Sequence, residues 1–74
     1  MMGKAAILGK SVLWTAVRPD GATAHALLVR GESQVRLRWF LDGEIQGEEV
    51  FDAELEARDR AEELRLLVNF GGMR

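Results

Sequence analysis

The stretch from Asp52 to Phe70 constrains the fold more than any other part of the chain, because it carries a clear helical period. Ala53, Ala57, Ala61, Leu64 and Val68 recur at spacings of three and four residues, which places them on one face of an α-helix. Most of the other positions are charged: Glu54, Glu56, Arg58, Arg60, Glu62, Glu63 and Arg65. Glu54 with Arg58, and Glu56 with Arg60, stand four apart with the acid first, the favourable order for such pairs. Asp52 is the expected N-cap, since its side-chain oxygen can accept from the open N–H groups of the first turn. Phe51 is expected to pack near Leu55 as a hydrophobic staple, and Gly71-Gly72 supplies the stop. A helix with an alanine-rich stripe needs an apolar surface to lie on, and the preceding residues must provide it.

Those residues read as strands separated by short turns. Val12 to Arg18 is rich in β-formers. Pro19-Asp20-Gly21 then turns the chain, with proline presetting φ at the first position and glycine taking the left-handed one. Thr23 to Arg30 follows, and Gly31-Glu32-Ser33-Gln34 turns again. Val35 to Leu41 alternates most clearly, with Val35, Leu37, Trp39 and Leu41 on one face and Arg36, Arg38 and Phe40 on the other. Asp42-Gly43 is a third turn, and Glu44 to Val50 reads as a fourth, weaker strand with a bulge at Gly47. The expected fold is α+β, a three- or four-stranded antiparallel β-meander followed by one C-terminal α-helix packed on one sheet face. The chain is expected to be a single small domain over residues 1–74. It divides into a loosely ordered arm at 1–10, the sheet at 11–51, the helix at 52–70 and a tail at 71–74.

Turn register decides which face the helix covers. A three-residue loop pairing Arg18 with Ala22 puts Val12, Trp14 and Ala16 on one face with Ala24, Ala26 and Leu28, continuing into Leu37 and Trp39. The small Ala24 and Ala26 leave room there for two tryptophans. A two-residue turn at Asp20-Gly21 would instead send Trp14 to the other side. With the three-residue loop, the face away from the helix carries Leu13, Thr15, Val17, Thr23, His25, Leu27, Val29, Arg36, Arg38 and Phe40. That is unusually apolar for a face left to water.

Composition narrows the chemistry. The chain has 74 residues, of which 47% are hydrophobic and 30% charged, too apolar for disorder. A core of this size yields roughly 3–5 kcal/mol of net stability, and such domains often add a staple. No cysteine is present and there is one histidine, so neither a disulfide nor a thiolate metal cluster can form, and no cofactor is expected. Association is the staple that remains. A net charge of −2 disfavours general binding to nucleic acid or to anionic membranes. No apolar run approaches the length of a membrane span. The short run Ala5 to Leu8 falls below the length of a signal-peptide core, so a cytoplasmic protein is expected. Gly3 to Ser11 approximates a phosphate-binding loop, but five residues separate its glycines where that motif has four, and it runs into a strand-forming segment.

These residues point to a small non-catalytic module that self-associates as a homodimer and docks on a protein partner. Its candidate interface is Leu13, Val17, His25, Leu27, Val29, Arg36, Arg38 and Phe40, with Phe40 as central anchor; the competing outcome is that residues 1–10 fold back over this face and leave a monomer. A second reading uses Arg36, Arg38 and Phe40 as a nucleic-acid surface, since bases stack on aromatics while arginines neutralise phosphates. Cross-strand pairing with Gln46 and Glu48 competes for both arginines, on a register that sets Phe40 opposite Glu44. A third reading is an enzyme with His25 as acid-base residue. It would need a nucleophile in reach, and the serines are Ser11 and Ser33, both at strand ends. Asp42, Glu44, Glu48 and Glu49 are too irregularly spaced for a calcium loop.

Overall fold

The structure, a computed structural model, describes residues 8–69. Four strands, β1 (Gly9–Val17), β2 (Thr23–Arg30), β3 (Val35–Leu41) and β4 (Glu44–Phe51), precede one helix, α1 (Glu54–Asn69). The strands form one antiparallel sheet in the order β1-β2-β3-β4, and α1 packs across it. The expected α+β meander is therefore present, with its fourth strand. Gly9 and Lys10, expected in a loose arm, belong to β1, and the Leu8 amide donates to the Arg30 carbonyl at 2.8 Å. The glycine-to-serine stretch that approximates a phosphate loop thus ends in a strand and opens no helix. The rest of the arm, the Gly71-Gly72 stop and the tail lie outside the described residues.

The first turn sets the face. The Arg18 amide donates to the Ala22 carbonyl at 2.8 Å, and the Gly21 amide to the Arg18 carbonyl at 2.9 Å, with Gly21 at φ +92°. This is the three-residue loop, braced by the Asp20 carboxylate accepting from the Ala22 amide at 3.0 Å. Trp14 and Ala16 accordingly lie opposite Ala26 and Ala24, on the side that α1 covers. The third turn is tighter. Asp42 (φ 50°) and Gly43 (φ 85°) both adopt positive φ, the two-residue form that Asp-Gly favours.

Two alanine stripes make the core. Ala24, Ala26, Leu28 and Leu37 of the sheet and Ala57, Ala61, Leu64 and Val68 of the helix are all buried. The small side chains let helix and sheet approach closely, and the half-buried Trp14 and Trp39 pack against both of the resulting clusters. The Trp14 indole also donates from Nε1 to the Ala61 carbonyl at 2.8 Å, fixing α1 along the sheet. A Trp14→Phe protein keeps most of the ring and loses that hydrogen bond, so chemical denaturation should show a loss of about 1 kcal/mol.

β1 and the start of α1 both depart from the expected pattern. A register shift between Val12 and Trp14 marks a bulge in β1. Val12 consequently faces away from α1, opposite Leu27, whereas Leu13 packs against the helix-side cluster. The helix begins at Glu54, so the N-cap position belongs to Ala53, and Asp52 lies one residue ahead of it. Phe51 is still part of β4 and packs against the core, and the next two residues are spent turning the chain. Ala53 is exposed in consequence. Leu55 is 70% exposed and makes no staple. Arg60 pairs with Glu49 of β4 (3.1 Å) and with Glu63 (2.9 Å) rather than with Glu56.

Glu54 ties the helix start to the sheet. Its carboxylate accepts from Arg30 at 2.8 and 3.0 Å and from Arg58 at 2.8 Å. These hydrogen bonds, Arg30 first, hold the carboxyl down to about 2. A depressed acid stabilises the fold above its ordinary range and ceases to do so as pH falls toward the folded-state value. The melting temperature of wild type should therefore exceed that of Glu54→Gln near pH 6, and the gap should close between about pH 4.5 and about pH 2.

Candidate interaction face

Side chains alternate across a strand, so the pairing register fixes what lies on the face away from α1. Its central row is Thr15, His25, Phe40 and Ile45, one residue from each strand. The next row is Val12, Leu27, Arg38 and Glu48, followed by Lys10, Val29, Arg36 and Val50. Beyond the central row in the other direction stand Val17 and Thr23.

Of the eight residues expected on this face, Val17, His25, Leu27, Val29, Arg36, Arg38 and Phe40 lie on that side of the sheet, with Val29 buried rather than open. Leu13 does not. Two adjacent large apolar residues, Leu13 and Trp14, cannot both reach the core by strict alternation, and the bulge resolves the conflict by turning Leu13 inward. Val12 takes its place outside, 61% exposed. Ile45 and Val50, 54% and 46% exposed, join the same face from β4. Sequence reading missed them because it paired Phe40 with Glu44. The two-residue turn sets Leu41 opposite Glu44 and Phe40 opposite Ile45, and a bulge then places Trp39 opposite Gly47. The Asp-Gly dipeptide was the available signal for that register.

The centre of the face is aromatic. His25 and Phe40 are direct cross-strand partners, with ring centroids 4.5 Å apart and planes within 9° of parallel. The charge beside them is largely satisfied within the chain. Glu48 accepts from Arg38 at 2.5 Å and from Arg36 at 3.4 Å. The Arg38 hydrogen bond, with a smaller contribution from Arg36, keeps the Glu48 carboxyl below its ordinary value. Both arginines are thus engaged by one acid: Arg36 reaches Glu48 as expected, while Arg38 stands opposite Glu48 rather than Gln46, two positions further along β4.

The groups that catalysis would need are separated. Ser11 is opposite Leu28 on the helix side and accepts a hydrogen bond from Arg30 at 2.8 Å. Ser33 lies in the second turn, and His25 on the opposite face of the sheet from Ser11. The acidic run is split as well: Glu48 pairs across the open face, Glu49 reaches Arg60 of α1, and Asp42 accepts from the Thr23 amide at 2.9 Å. No cluster of three or more metal-ligating side chains occurs among the described residues, and no helix among them is long and apolar enough to cross a membrane.

Comparisons with protein families, with curated proteins and with solved structures find no match to this chain, so the functional reading rests on the geometry of this face.

Proposed function

We propose that the protein is a small, non-catalytic cytoplasmic module that self-associates through the sheet face left open by α1, forming a twofold dimer. The observation that carries this reading is the distribution of apolar side chains. One helix covers one side of the sheet, yet Val12, Val17, Leu27, Phe40, Ile45 and Val50 supply the other side from all four strands. Exposed apolar patches of this kind mark association sites. A second copy supplies a matching surface by symmetry, and two such domains joined face to face would bury both sheets between two outer helices.

Charge and edge structure favour a face-to-face contact with another copy. Glu48 engages both Arg36 and Arg38 and leaves that group one positive charge in excess, and a net chain charge of −2 keeps self-repulsion of two copies slight. Both edge strands are interrupted by bulges, which discourage edge-to-edge strand pairing. Four strands of seven to nine residues share a paired region of about seven, a face of roughly 15 by 24 Å. That is roughly 360 Å² in projection, below the ~800 Å² per partner of a standard interface, so weak self-association is expected.

Substituting Leu27→Asp or Phe40→Asp places a charge in the contact and should yield a folded monomer by size-exclusion chromatography with light scattering. Self-association that persists in both variants removes this face as the interface. The competing nucleic-acid reading rests on Arg36 and Arg38. It requires oligonucleotide binding that weakens steeply with salt and is lost in the Arg36→Ala, Arg38→Ala protein. Ion pairing of both arginines to Glu48 is the reason we place it second.

A further inference from the structure

We infer that self-association is pH-gated, and that protonating His25 dissociates the dimer. This inference rests on the open-face dimer and adds its regulation. His25 lies on an interior strand, in the central row of the face, between Thr15 and Phe40. Its ring is stacked flat on Phe40, and no described residue forms a hydrogen bond or ion pair with it. A face-to-face contact covers this row first. A neutral imidazole on an aromatic ring is compatible with such burial, whereas an imidazolium without an acid is not, because removing an unpaired charge from water is costly.

The charges on every neighbouring strand point the same way. On this face β1 contributes Lys10, β3 contributes Arg36 and Arg38, and β4 contributes Glu48, which the two arginines already engage. The helix lies on the opposite side and brings none of its acids here. Arg38, the partner of Leu27, is in the row next to His25. A protonated His25 would therefore join a face that is already cationic, and twofold symmetry would bring two such faces together.

The chain isolates this effect well. His25 is its one histidine and there is no cysteine, so between pH 7.5 and 5.5 no other side chain titrates in its ordinary range. Glu48 stays ionised through that window because Arg38 holds its carboxyl down. The dimer excludes the imidazolium and so binds fewer protons than two free chains, and association therefore weakens as pH falls. With two histidines per dimer, the dissociation constant should rise roughly 10- to 100-fold between pH 7.5 and 5.5.

Light scattering over a dilution series at both pH values, at fixed ionic strength, tests this on the full chain, with far-ultraviolet circular dichroism as the check on folding. Wild type should show the rise with unchanged secondary structure. His25→Phe, and independently His25→Gln, should associate equally at the two pH values. A wild-type dissociation constant that does not change with pH, or a shift retained in both variants, overturns the gate and leaves the dimer standing. Loss of the circular dichroism signal in step with dissociation assigns the effect to unfolding and also overturns it. A wild-type monomer at both pH values overturns the dimer, and the gate with it.

Discussion

Replacing Gly47 by valine should remove most of the stability of this domain, although valine is a far better strand former than glycine. A Cβ at position 47 would overlap Cζ2 of Trp39 and lie 2.7 Å from its Cε2 and 3.0 Å from its Cη2. The indole lies directly over the Gly47 backbone because Trp39 and Gly47 are cross-strand partners at the β4 bulge. Forcing atoms into such a contact typically costs 1–3 kcal/mol, and a small domain holds only about 3–5 kcal/mol in reserve. The position does not require left-handed backbone; it requires empty space. That distinction gives a sharper check. In a Trp39→Leu background the ring is gone, so Gly47→Val should cost much less there, and the double-mutant cycle in urea should show a coupling well above the ~0.5 kcal/mol typical of independent sites.

Trp39→Ala should be the most damaging single substitution in the sheet, at about 3–5 kcal/mol. Trp39 is half-buried, but it packs against both buried clusters, the one around Leu28, Leu37 and Leu64 and the one around Ala24 and Val68. Removing it leaves a cavity over two alanines that cannot fill it and releases the end of α1 near Val68. Thermal unfolding followed by circular dichroism should find the variant largely unfolded at room temperature. A cooperative transition within a few degrees of wild type would show that Trp39 contributes little to the core.

The architecture was legible because its signals are local. Period-two alternation in β3, three turns with glycine in defined positions and one helical stripe are sufficient for a meander capped by a helix. Even the covered face could be read, since it depends on a single loop length at Pro19-Asp20-Gly21. The differences arise where one residue too many enters a strand. The β1 bulge exchanged Leu13 for Val12 on the open face, and the β4 bulge, added to the two-residue Asp42-Gly43 turn, moved Glu48 opposite Arg38. Bulges follow from packing of large side chains in three dimensions, and periodicity alone does not locate them. The start of α1 shifted for a similar reason: Phe51 is held in the core as the last residue of β4, and the helix cannot begin until the chain has turned away from it.

The stacked pair His25–Phe40 is the feature of the open face that sequence reading could place but not describe. Both residues were expected on that side, yet their direct opposition depends on the β2–β3 register, which the Gly31 to Gln34 turn sets through the Gly31 amide and Gln34 carbonyl at 2.8 Å. It gives the proposed contact a flat aromatic centre between aliphatic side chains. Such centres, once desolvated, carry a disproportionate share of binding energy.

Sedimentation equilibrium of the full chain at micromolar concentration and neutral pH is the most direct test of the dimer. The chain mass is 8.3 kDa. The open-face dimer predicts a weight-average mass that climbs toward twice that value with concentration, whereas a mass that stays at 8.3 kDa across the concentration range would contradict it.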